Sequence, residues 1–187
     1  MRLSKHLTLA VTAGALVFAL AGFGGVPGAA PARKTPAVCK LLTTKEAAEI
    51  LGTDVNKGKE KKVRFPRPGA KANQCEWASK EDGVGGIEGE PFKLQVETNT
   101  GKTVGSDYER AKARVDLEDL VTVPDLGKEA FYDDSPFSGV HVLVAENKVL
   151  STSVTNYDTS KAQLPKQPEE LSIDAAKIAV RRQTTTK

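Results

Sequence analysis

Aromatic side chains make up only 5% of the 187 residues, with one tryptophan, Trp77, and one methionine, Met1. Any core must therefore be mostly aliphatic. Two cysteines and two histidines are the whole stock of the side chains best suited to transition metals or covalent catalysis. No C-x-x-C pair is present, which removes the usual redox dithiol. No G-x-S-x-G elbow is present either. The glycine-rich run from Gly83 to Gly89 lacks the Gly-Lys-Ser/Thr ending of a phosphate loop and reads as a flexible turn between strands. The acidic groups Asp116-Leu117-Glu118-Asp119 and Asp133-Asp134 lack calcium-loop spacing and read as solvated loops. No metal and no cofactor are expected.

Apolar residues at 39% and charged residues at 27% fit a globular chain of one ordinary domain. The one long apolar run lies at the start. Arg2, Lys5 and His6 precede an uncharged stretch from Leu7 to Phe23, helix-breaking Gly24, Gly25, Pro27 and Gly28 follow, and Ala30-Pro31-Ala32 offers a small-x-small cleavage point. This is the layout of a secretory signal peptide, and the run sits at the lower limit for a bilayer span. Leu20-Ala21-Gly22 matches the run before the acylated cysteine of bacterial lipoproteins, but Phe23 follows and has no thiol. A freely secreted protein without a lipid anchor is expected. The expected division is 1–32 signal peptide, 33–183 a single domain and 184–187 a disordered tail, since the last residues have nothing to bury.

Loss of the leader leaves 25 basic against 24 acidic residues, a net charge near +1, and His141 as the one histidine. So neutral a chain has no general pull on nucleic acid. Cys39 and Cys75 are then an even pair in an oxidising compartment and read as one disulfide.

Thr43 to Glu46 forms a capping box ahead of Ala47, Ala48, Ile50 and Leu51, and Gly52 supplies the stop of a short helix. A second box is read at Ser106 to Glu109, with Tyr108, Ala111 and Val115 on one helical side. Gln74 to Ser79 reads as a strand with Cys75, Trp77 and Ser79 on one face, the indole filling core beside the disulfide. Phe92 to Glu97 alternates strictly, Val140–Val144 and Val149–Val154 form a hairpin, and Glu129–Tyr132 is a further strand. Leu171, Ala175 and Ile178 mark a final helix. The fold class is α+β: two layers, an antiparallel sheet with helices packed on one face, and one disulfide.

Several local patterns resemble an actinobacterial family of secreted proteins and lipoproteins of unknown function. They are Cys39-Lys40-Leu41-Leu42-Thr43, Ile50-Leu51-Gly52, Cys75-Glu76-Trp77 and Val123-Pro124-Asp125-Leu126-Gly127. The chain is also distantly similar to the extracellular sensor regions of some mycobacterial Ser/Thr kinases. The resemblance implies a cell-envelope location, a disulfide-stapled α+β domain and no catalytic residues.

Two places bear on function. Lys57, Lys59, Lys61, Lys62, Arg64, Arg67 and Lys71 crowd one segment with a single acid, Glu60, inside the loop that the disulfide would close. They are the candidate contacts for an anionic partner, a cell-wall polymer or an envelope protein. His141 shares a strand face with Leu143 and Ala145, and Ser138 is the nearest serine in sequence. The expected role is a monomeric, secreted, non-enzymatic envelope domain that binds a ligand or partner. The alternative is a secreted hydrolase, or a hydrolase inhibitor presenting Phe65-Pro66-Arg67-Pro68.

Overall fold

The capping box forms as written. In the computed structural model, which describes residues 37–61, 63, 69–80, 91–115, 120–133, 139–155 and 164–185, helix α1 spans Thr44–Leu51. The Thr43 hydroxyl accepts from the Glu46 N–H at 3.2 Å, and the Glu46 carboxylate accepts in return from the Thr43 N–H at 2.8 Å. Gly52, at φ 68°, ends the helix in the left-handed region that an L side chain avoids.

Among the described residues seven strands follow: β1 (Lys59–Lys61), β2 (Lys71–Ala78), β3 (Lys93–Thr100), β4 (Leu120–Thr122), β5 (Glu129–Asp133), β6 (Gly139–Ala145) and β7 (Lys148–Thr155). Helix α2 (Val104–Lys112) lies between β3 and β4, and α3 (Pro168–Thr185) closes the chain. All pairings are antiparallel and the sheet order is β1-β2-β3-β7-β6-β5-β4. The two meanders thus meet at β3 and β7, which places residues about fifty positions apart in sequence side by side.

Strand alternation sorts the side chains. Leu94 and Val96 of β3, Val140 and Val142 of β6, and Leu150 and Val154 of β7 face the main core with Ala175, Ala176 and Ala179 of α3. The small residues let α3 lie close against the sheet. It is fixed there by the Thr152 hydroxyl, which donates to the Ser172 carbonyl at 2.8 Å, and by the Ser172 hydroxyl, which accepts from the Val154 N–H. Arg182 ties α3 to α1 by donating to the Glu46 carboxylate at 2.7 Å and the Leu41 carbonyl at 3.2 Å. Cys39, on a single 3-10 turn at Val38–Lys40, is bonded to Cys75 of β2, with Cα atoms 5.1 Å apart. Trp77, 1% exposed, is core packing beside that bond, and Ser79 is buried on the same face.

The fold is therefore α+β, with an antiparallel sheet and one disulfide. The single helical layer expected from sequence describes α1 and α3. Helix α2 adds a smaller cluster on the opposite face, where Val104 and Tyr108 pack on Phe131 and Val149. Those strand residues alternate with core-facing neighbours, so the apolar side of α2 has its own partner surface.

Other departures have local causes. The second capping box does not form: α2 begins two residues before Ser106, whose hydroxyl donates back to the Thr103 carbonyl. The basic segment contains β1, which is exposed along its whole length and so carries no apolar alternation. Helix α3 runs through Thr185, past the expected start of the tail. The hydroxyls of Thr184 and Thr185 donate to carbonyls one turn back and hold that end in place of buried side chains. No described helix is long and apolar enough to cross a membrane.

Glu46 gives a pH test of the α1–α3 tie. Its partial burial pushes the carboxyl up, but hydrogen bonds from Thr43 and the Arg182 guanidinium outweigh this and hold it below its usual 4.5. A carboxyl depressed by folding stabilises the protein above the unfolded value, and that stability is lost as pH falls through the folded value. Thr43→Ala is expected to cost about 1 kcal/mol at pH 7 and to flatten the loss on acidification below 4.5. Urea melts at neutral pH and at about pH 3 measure both. Equal acid sensitivity in the two proteins would exclude the carboxylate as the cause.

Candidate functional site

A single register row crosses the whole sheet. It runs Lys61, Gln74, Glu97, Ser151, His141, Phe131, Thr122, each directly opposite the next. Alternation puts this row on the face away from α3. Over its middle, α2, β3 and the strands of the second meander line a cavity of about 170 Å³, partly open to solvent.

The two walls differ chemically. Tyr108, Ala111 and Val104 of α2, with Phe131 and Val149 of the sheet, form an apolar wall. The Tyr108 and Phe131 rings meet at 5.2 Å between centroids, tilted by 56°. Glu97, Asn99, Ser151 and His141 make the polar wall, and Asp107 of α2, paired with Arg110, also lines the cavity. Neighbouring strands supply these groups, so their spacing is fixed by the ladder. The His141 Nδ1 lies 2.9 Å from the Ser151 Oγ, and the imidazole packs on Phe131 with centroids 5.0 Å apart. The Asn99 amide donates to the Glu97 carboxylate at 2.7 Å. Val63 and Ala70, from the segment before β2, close one side.

Tyr108 is buried and its hydroxyl has no hydrogen-bond partner among the described residues. Burial, with Glu129 and Glu109 adding repulsion, pushes the phenol well above its usual range, so it stays neutral. Nearby, Lys112 pairs closely with Glu129, which raises the lysine.

Sequence reading places His141 correctly on the face of Leu143. It misses Ser151 as the partner, because ten residues of hairpin separate the two. Ser138 lies outside the described residues. Glu97 and Asn99 carry no local motif; their alternation says only that one face of β3 is wet.

Four of the candidate cations lie among the described residues. Lys59 and Lys61 sit on the edge strand β1, and Lys61 pairs with Glu76 at 3.2 Å. Charged, short edge strands resist pairing with other chains, which is a sufficient reason for these lysines. Lys71 opens β2, opposite Thr100. Lys57 borders a separate open cleft of about 500 Å³ with Lys40 and Arg182, beside the disulfide. Arg182 is already engaged by Glu46 there. Lys62, Arg64 and Arg67, and the Phe65–Pro68 loop considered for an inhibitor, lie outside the described residues. Among the described residues no group of three His, Cys, Asp or Glu side chains is arranged to hold a metal.

The fold and site define a disulfide-stapled α+β domain with an amphipathic cavity on its second sheet face. No protein-family model, no curated protein and no solved structure matches the chain.

Proposed function

We propose that this protein is a secreted, non-enzymatic envelope domain that binds a small ligand in the cavity between α2 and the sheet. The observation that carries the reading is the pairing of one apolar wall with one row of fixed polar groups, the usual make-up of a ligand pocket. The leader sequence, the disulfide and the resemblance to secreted and lipoprotein envelope proteins support the location.

The hydrolase alternative draws on the contact between His141 and Ser151, and its geometry is unfavourable. A nucleophilic serine needs a histidine that an acid orients from the far side. Here the serine is in the middle: Glu97 stands opposite it on β3 and His141 on β6, while Phe131 is across from the histidine. Ser151 also has a paired strand on each side. Backbone N–H groups that would stabilise an oxyanion are committed to the ladder. The hydroxyl and imidazole act better as fixed hydrogen-bonding groups.

The test uses a blocked cavity. Ala111→Phe puts a ring into the space from α2. Purified wild-type protein incubated with an extract of low-molecular-weight envelope material, desalted and then denatured, should release a bound compound detectable by mass spectrometry. The blocked variant, folded by circular dichroism, should release none. Equal release from both would remove the cavity from the function.

A further inference from the structure

The ligand reading leaves open what chemistry the cavity selects, and its two walls narrow the choice. About 150 Å³ is enough for one six-membered carbon ring, so a cavity of about 170 Å³ takes one ring rather than an extended molecule. An aromatic or alkyl ligand would satisfy Phe131, Tyr108 and Val149 but leave the remaining hydrogen-bonding capacity of Glu97, Asn99 and Ser151 against apolar surface, which costs binding energy. A small organic cation would find two carboxylates, Glu97 and Asp107, and Asp107 is already paired with Arg110. It would set its charge against the donor groups of Asn99 and Ser151. Moreover, Glu97 already accepts from the Asn99 amide.

A hydroxylated ring meets both walls. Its C–H face packs on aromatic and aliphatic side chains, and its rim of hydroxyls both donates and accepts. The polar row has the same double character. Asn99 offers an amide oxygen and a second N–H, Ser151 a hydroxyl shared with His141, and Glu97 a second carboxylate oxygen. The Asn99 amide and the Glu97 carboxylate meet at 2.7 Å, so together they can engage adjacent hydroxyls of one ring.

From this we infer that the cavity is a monosaccharide subsite, taking a neutral pyranose with its C–H face on Phe131 and Tyr108 and its hydroxyls on the Glu97–Ser151–His141 row and Asn99. The inference rests on the proposed ligand reading and makes it more specific.

Titrations followed by ¹H–¹⁵N spectra of the full secreted domain test it. The probes are the methyl glycosides of glucose, galactose, mannose and N-acetylglucosamine, with choline and phenol as competing chemistries. At least one glycoside should shift the amides of Glu97, Asn99, His141 and Ser151 in a saturable way. Ser151→Ala and Asn99→Ala should each weaken that binding about three- to tenfold while remaining folded by circular dichroism. Saturable shifts with choline or phenol and none with any glycoside would overturn the inference. So would glycoside binding that both alanine variants retain in full. If the extract experiment yields a ligand and no glycoside binds, the ligand reading stands and the sugar assignment falls. If neither gives binding, both fall.

Discussion

Replacing Cys39 and Cys75 together by alanine is expected to lower the free energy of unfolding by about 4 kcal/mol. The bond spans 36 positions and encloses α1, β1 and half of β2. Cutting it frees that loop in the unfolded chain, where the chain-entropy model places most of the effect. Domains of this kind have about 5–15 kcal/mol in total, so the variant should sit near the edge of stability at 37 °C. Alanine is the better replacement, because Cys75 is fully buried and a serine hydroxyl there would add an unpaired polar group. Urea unfolding followed by the fluorescence of Trp77 gives the measurement. A loss below about 1 kcal/mol would mean that packing, not the cross-link, holds the N-terminal turn on β2. The same probe reads the local contact. Cys75 lies in the strand next to the indole, so opening the bond should also remove a nearby quencher and brighten the folded state.

What was legible in the sequence follows from how local each signal is. Thr43, Glu46 and Gly52 act within one helix, and all three take the expected roles. The alternation of Cys75, Trp77 and Ser79 needs only the pleat, and those residues are buried together. The hairpin of β6 and β7 is read from two apolar runs about a short polar turn. The basic residues of β1 gave no such pattern, since an edge strand with both faces wet has no reason to alternate. The position of α2 was hidden for a different reason. Its apolar stripe predicts burial but not against which face, and that choice depends on Phe131 and Val149 from strands still to come. The cavity is the extreme case. Its polar wall exists only because β3 pairs with β7 and β7 with β6, a register that no stretch of sequence contains. Of the described cations in the run, Lys59 and Lys61 lie on the edge strand and Lys57 borders a separate cleft.

The second large effect centres on Trp77. Trp77→Ala is expected to cost about 3–5 kcal/mol, as the removal of a fully buried indole does. The reason for placing the ring so close to the backbone is visible at Gly58. A Cβ built there would lie 2.6 Å from Trp77 Cε2, 2.7 Å from its Nε1 and 2.9 Å from Cys75 Sγ. The segment entering β1 therefore passes directly over the indole and the disulfide, and glycine is needed for space. Gly58→Ala alone should destabilise by about 1–3 kcal/mol through overpacking. In the Trp77→Ala background the added methyl would instead enter the space that the indole leaves. The Gly58→Ala cost should then shrink to that of the sulfur contact alone, or change sign. A four-way cycle measured by far-UV circular dichroism in urea isolates the coupling, because the two sites are in direct contact. Additive single effects would mean that the loop before β1 moves away freely when Gly58 is substituted. The disulfide, the indole and the edge strand would then be three separate sources of stability rather than one packed unit. A coupling as large as the Gly58→Ala cost itself would tie the least patterned strand of the sheet to its largest buried side chain.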